Sequence, residues 1–454
     1  MPSCSRTKEN NHMISPRALT IAAVAFVSAT AGILSLAPDD SGGPKPARVI
    51  TVWSHAGPGP ESSVLRAQVA KFNRSRSGIR VDIAFPTADK EKNYNERVVA
   101  AAANHRLPDL VDIEDPFISG HVRRNKLAPL EQLLPPSLQA DLLPGIGDRG
   151  ISDGHLYAVG AYGSTVLLYA NKARLDAAHV HYPSRPGQSW TAAEFDAALR
   201  TLAEHDKDGH VLDLGRSNGD GEWLTFAFSP MVWSAGGDLI DRHGEPTAVG
   251  AIDRREVARA MEHIQEWKPF VELTDTSSFT QGTTALSWNG QWQYPSFSKV
   301  LGGNLVVLPL PDFGAGSRTS SGTWSWGISR ASGNKDAAAE FLAFLMEDEQ
   351  LLETSRATGG IPGTTTALEK STTYGPGGPL NLLTRQLDGL CGEEDLITSD
   401  CTGVTRPASP SYASVTKAFR KAFASIWAGE APPESLHRAA KEIDAGIEAG
   451  NAAH

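Results

Sequence analysis

Cysteine is scarce in this chain, with three in 454 residues: Cys4, Cys391 and Cys401. None has the ligand spacing of a zinc site, so no metal is expected. Clusters of lysine and arginine are missing, and the net charge is -10. That balance excludes nucleic acid as a natural partner. Beyond residue 37 no long apolar run occurs, so the rest of the chain is not membrane-spanning. Catalytic signatures are missing too. There is no G-x-S-x-G and no H-E-x-x-H. Residues 145–150 match G-x-G-x-x-G, but Pro144 precedes them where a dinucleotide site needs a strand. Asp206-Lys207-Asp208-Gly209 lacks the later ligands of a calcium loop. The S-x-x-K matches at Ser296 and Ser332 lack their companion motifs. No cofactor is expected.

The length points to more than one lobe or domain. Arg6, Lys8 and Arg17 precede an apolar stretch at 18–37, and Ala29-Thr30-Ala31 fits a small-x-small cleavage site. Residues 1–37 therefore read as an export signal or an uncleaved anchor, and residues 38–48 as a flexible tether. Export suits the cysteines: Cys391 and Cys401, with nine residues between them, are expected to pair. Tryptophan is abundant, ten against eight tyrosines. Trp223, Trp233, Trp288, Trp292, Trp324 and Trp326 crowd the middle of the chain, as a core or an aromatic-lined site would require.

Alternating and helical patterns predict a strand at 49–53, a helix at 61–73, a strand at 79–85, a helix at 94–103 and a strand at 108–113. That order implies a parallel sheet with covering helices. Further strands are predicted at 166–169, 284–288, 304–308 and 323–329. Helices are predicted from Thr191 to about 203, and at 226–233, 254–267, 336–346, 412–427 and 434–448.

Ligands of open α/β sheets bind beyond the carboxyl ends of strands. Ser54 and His55 close the first strand, and Glu61 opens the next helix. Glu114 and Asp115 close the third strand, where they can accept from ligand hydroxyls or cap the following helix. Asn289-Gly290 is expected to break a strand just before Trp292, which is either a core residue at a tight turn or a flat face at the sheet's rim.

Several segments in order resemble the extracellular solute-binding proteins of ABC importers, the maltose-binding-like, sugar-recognising group. They include Val49 to Trp53, Pro108-Asp109-Leu110-Val111 with Asn125 to Leu130, Asp153 to Val159 with Leu168 to Lys172, Ser234-Ala235-Gly236-Gly237-Asp238-Leu239, and Asn334 to Leu342. Residues 279–292 resemble F-x-x-G-x-x-A-M-x-x-x-G-x-W, with Leu286 in place of Met.

The resemblance implies an α/β fold of two lobes with a hinge and an interlobe cleft. Lobe 1 would comprise 49–161 and 309–347, and lobe 2 would comprise 162–308 and 348–454. It implies a carbohydrate ligand, membrane subunits of an ABC importer as partners, and a monomer outside the cytoplasm. Trp292 matches the family's stacking tryptophan after Asn-Gly, with Asn289 beside it. Glu114 and Asp115 match its acidic hydroxyl-binding loop. Ser164 stands where the family often has an acidic residue, and the loop of Cys391 and Cys401 is not a general family feature. The rival readings are a secreted glycoside-active enzyme using Glu114 or Asp115, and a ligand-sensing subunit of a membrane complex.

Overall fold

One long strand organises the molecule. In the computed structural model, which describes residues 48–56, 59–86, 94–185, 187–275, 277–381, 383–384, 389–391 and 397–452, Ala158–Asn171 runs without interruption through fourteen residues. Thirteen of them are buried, because both faces of the strand are covered. The expected signal or anchor and nearly all of the tether lie outside the described residues. Among the described residues, no helix is long and apolar enough to cross a membrane.

The first half builds β1 (Arg48–Trp53), α1 (Pro60–Ser75), β2 (Ile79–Ala84), α2 (Tyr94–Ala103), β3 (Leu110–Glu114) and α3 (Asp115–Arg123). Pro60 and Glu61 stand in the first turn of α1, where the missing N–H and the negative charge suit the unpaired amides. The long strand is β4. Then follow α4 (Ala192–Glu204), β5 (Leu212–Asp213), α5 (Glu222–Ser234), α6 (Arg255–Trp267), β6 (Leu286–Gly290), β7 (Leu305–Leu308) and β8 (Thr319–Ile328). Thr191 and Glu194 close α4 with a reciprocal capping box. The chain ends with α7 (Lys335–Leu345), α8 (Asp348–Thr358), β9 (Ile361–Pro362), β10 (Leu390–Cys391), β11 (Gly403–Thr405), α9 (Tyr412–Trp427) and α10 (Pro432–Ala452).

The main path of the sheet is β2-β1-β3-β8-β4-β6-β5, with β7 and β9 also paired to β4, β11 paired to β8, and β10 paired to β11. The expected parallel arrangement holds for β2-β1-β3. Beyond it, β8 enters antiparallel to both β3 and β4, so the sheet is mixed. Residues 158–165 of β4 pair with β8, and residues 166–170 pair with β6. The same strand thereby feeds two cores. Val159, Ala161 and Tyr162 join Ile50, Phe72, Leu110 and Phe341 in the first. Val166, Leu168 and Ala170 join Trp233, Trp267, Trp288 and Phe419 in the second.

Two sequence expectations change. Asn289 and Gly290 do not break β6; they are its last residues, and Gly290 pairs with Val166 at an ordinary φ of -77°. The helix α8, poor in apolar residues, was not anticipated. Its Leu351 enters the first core.

Cys391 and Cys401 are joined, with Cα atoms 5.6 Å apart. The bond ties β10 to the turn that leads into β11. Closing a loop of sequence separation 10 restricts the unfolded chain. Its reduction is therefore expected to cost about 2–3 kcal/mol, measured by denaturant unfolding with and without reductant.

Candidate functional site

The ends of β3 and β11 meet at a buried charge cluster. All five residues of β3 are buried, and Pro116 opens α3 directly behind it, so Glu114 and Asp115 sit side by side at the strand's carboxyl end. Arg406 follows β11 by one residue, and its side chain is 1% exposed. Its Nη1 donates to Glu114 Oε1 at 2.6 Å and to Glu222 Oε1 at 2.7 Å, and Nη2 donates to Asp115 Oδ1 at 3.1 Å. Asn95 Nδ2 donates to the other Glu114 oxygen at 2.7 Å. Glu222 also accepts from the Tyr412 hydroxyl and from Thr416 Oγ1. The guanidinium lies 4.8 Å from the centre of the Phe226 ring, a cation–π contact. Gly322 permits this approach: a Cβ there would stand 2.9 Å from Arg406 Nη2.

Burial opposes the Arg406 charge, but Glu114, Asp115 and Glu222 hold its pKa well above the usual arginine value. Burial and the neighbouring Glu114 push the Glu222 carboxyl up to about 7, against the pull of Arg406, Thr416 and Tyr412. The cluster spans both cores, since Glu114 ends a first-core strand while Phe226 and Tyr412 belong to the second core.

A cavity of about 950 Å³ opens beside this cluster, between α2 and α3 on one side and α5 and α9 on the other. Val99, Phe117, Trp223, Leu224 and Trp427 supply apolar lining, and Asn95, Glu222 and Thr416 supply polar groups. The family model of bacterial extracellular solute-binding proteins matches residues 67–374, more than half of the chain. The chain belongs to that family. Its place is accordingly outside the cytoplasm.

Solved structures share the fold of this solute-binding protein. The GacH receptor of Streptomyces glaucescens, solved unliganded and with acarbose, is 22% identical, with a TM-score of 0.71 over 88% of this chain and 99% of that one. The cyclic alpha-maltosyl-1,6-maltose binding protein from Arthrobacter globiformis is 21% identical, with a TM-score of 0.64 over 89% and 100%. An ABC substrate-binding protein from Listeria monocytogenes in complex with cycloalternan is 18% identical, with a TM-score of 0.70 over 88% and 99%. The fold is thus the expected two-lobed, periplasmic-binding-protein-like α/β architecture.

The remaining sequence candidates of this solute-binding protein divide by place. Ser54, His55 and Glu61 form a second cluster around the buried Asp112. Ser54 Oγ donates to Asp112 Oδ2 at 2.8 Å, and His55 Nδ1 lies 2.7 Å from the same oxygen. His55 Nε2 lies 3.5 Å from Glu61 Oε2, and Glu61 accepts from the Tyr162 hydroxyl. Trp324 covers the imidazole, with ring centres 3.7 Å apart and planes 4° apart. The void here is about 30 Å³, too small for a sugar ring. These side chains satisfy one another.

Burial disfavours the His55 cation, but Glu61 and Asp112 raise its pKa to about 9. A raised histidine contributes stability that is complete below its unfolded value of 6.5 and is lost as pH rises through about 9. Unfolding free energy is therefore expected to fall between pH 7 and 10, and Asp112→Asn should flatten that fall. An unchanged slope in the variant would remove His55 as its source.

Trp223 lines the cavity. Trp292 stands behind it, edge-on to Trp223 at 5.5 Å and stacked on Phe226 at 6.2 Å. Its Nε1 donates to Asn218 Oδ1 at 3.1 Å, and Asn218 donates in turn to Asn289. Asn289 is buried against Asp213. Ser164 is half-buried beside a void of about 10 Å³. Trp233 and Trp326 are core residues, of the second and first core respectively. Trp233 is buried because α5 is covered on every side beyond its first turn.

Sequence reasoning did not select Arg406, Glu222, Tyr412 or Thr416. Only Tyr412 and Thr416 carried a signal, as members of a helix read correctly at 412–427. Arg406 follows a strand of three residues, too short to show a period.

Proposed function

We propose that this protein captures an oligosaccharide in the cleft between its lobes and delivers it to the membrane subunits of an ABC importer. The observation that carries this is the cavity of about 950 Å³ set between α2 and α3 on one side and α5 and α9 on the other, with aromatic lining and buried polar groups at its base. Ring faces of Phe117, Trp223 and Trp427 would cover the apolar faces of sugars, while Asn95 and Thr416 meet hydroxyls. Trp292 supports Trp223 and Phe226 from behind. Related structures contain acarbose or cycloalternan. The lobes meet along β4, so one would hinge on the other there as the ligand is enclosed. The first lobe would then comprise about 48–161 with β8, α7 and α8, and the second the intervening segment with the last two helices.

The reading is one of binding without catalysis, and the engagement of two carboxylates supports it. Glu114 and Asp115 both accept from the buried Arg406, which ties them into the charge cluster at the base of the cavity. The protein would act as a monomer.

A saccharide present at a hundred times its Kd should stabilise the protein by about 2.7 kcal/mol, raising the melting temperature. A thermal-shift screen of neutral and charged oligosaccharides is the test. No shift from any member would defeat the capture reading, and appearance of cleaved sugar would favour an enzyme.

A further inference from the structure

We propose that the captured ligand is acidic, a uronate-bearing oligosaccharide, and that Arg216, Lys417 and Arg420 read its carboxylates. The inference rests on the capture reading above and narrows its substrate class. The chain as a whole is acidic, with a net charge of -10. The lining of the cleft runs against that balance.

Among the described residues, the charges at the base are already matched. Glu222 and Glu114 share Arg406. Asp115 takes Arg406 and has Arg149 at 4.0 Å. At the mouth, Lys421 is paired with Glu442 at 2.7 Å, and Glu96 is itself engaged. Three cations remain. Arg216 sits on the single turn Arg216–Asn218 that leads into α5. Lys417 and Arg420 are a helical turn apart on α9, next to Thr416, and face the same cavity. None of the three has an ion-pair partner among the described residues, and Arg420 only donates from Nε to the Asp220 carbonyl at 3.0 Å. The one carboxylate of the lining left to oppose them is that of Asp220.

Gathering like charges costs free energy, and a concave, apolar wall strengthens the field they make. A neutral sugar would leave that field unanswered. A sugar carboxylate answers it, and two of the three cations offer the planar fork that binds carboxylates in pairs. The aromatic faces would cover the rings, while the cations at the mouth take the charged substituents.

The test is calorimetric titration of the whole protein with matched pairs: trigalacturonate against galactotriose, and trimannuronate against mannotriose. At least one uronate trimer should bind about tenfold or more tightly than its neutral partner. That preference should collapse when ionic strength rises from about 0.01 M to about 1 M, which shortens the screening length from ~30 Å to ~3 Å. The combined Arg216→Gln, Lys417→Gln, Arg420→Gln variant should lose the preference at an unchanged melting temperature. Equal or tighter binding of the neutral member in both pairs, or a preference that survives in the variant, overturns the inference and leaves the capture reading intact. Should no saccharide of either kind bind, both fall together.

Discussion

Replacing Arg406 with methionine is expected to destabilise the protein by about 3–5 kcal/mol at neutral pH. The substitution preserves much of the side-chain volume and removes the charge. Glu114, Asp115 and Glu222 would then face one another in a buried space with no cation among them. Breaking a buried ion pair from one side costs more than the pair contributes, because the abandoned charge cannot return to water. Here one guanidinium serves three carboxylates, so the cost should reach the upper part of that range.

The pH dependence gives the prediction its sign. The Glu222 carboxyl already lies up at about 7, and Arg406 is among the groups that restrain it. Such a raised group favours folding below its unfolded value of 4.5, and that contribution is lost as pH rises through about 7. Without Arg406 its pKa moves higher still, so the deficit should shrink as pH falls from 8 toward 5.5. Urea unfolding of both proteins across that interval measures it. A deficit independent of pH would mean that the loss comes from packing on Phe226 and Tyr412. Arg406→Lys should recover only part of the stability, since an ammonium cannot reach three carboxylates in the geometry of the fork.

The same cluster shows where the sequence could be read and where it could not. Glu114 and Asp115 were legible because a short apolar run, Leu110 to Ile113, ends on them, and strand ends are where polar side chains gather. Helix α2 was legible from its alanine-rich run, and α9 was read at 412–427; in both, the buried residues recur at helical spacing. Arg406 was not, because its position depends on the pairing of β11 with β8, a strand more than 80 residues earlier in the chain. His55 was correctly placed beside a strand end. Its partner Asp112 was hidden inside an apolar strand, where alternation suggests nothing about which carboxylate will meet a neighbour. Trp324 and Trp326 stand two residues apart on β8 and so share one face, where both border the small void beside His55; Trp324 stacks on the imidazole and Trp326 packs in the first core. The antiparallel entry of β8 beside β3 brings that face over His55, and no local pattern announces it.

Trp288 and Trp292 make the sharpest contrast. Trp288→Ala is expected to cost about 3–5 kcal/mol of stability. The side chain is fully buried in the second core, close to Phe228 and Trp267. Its Nε1 donates to the Ala227 carbonyl at 3.0 Å. Truncation would open a large cavity and strip that carbonyl of a donor, and a close-packed interior recovers neither by relaxing. Trp292→Ala removes a half-buried ring that packs on Trp223 and Phe226. It should cost less stability and should loosen the cavity wall, so that saccharide affinity falls while the fold survives. Paired denaturant unfolding and ligand titration separate the two. Equal losses of stability would make Trp292 a core residue of the same standing, and an unchanged affinity in the Trp292 variant would detach it from the cleft.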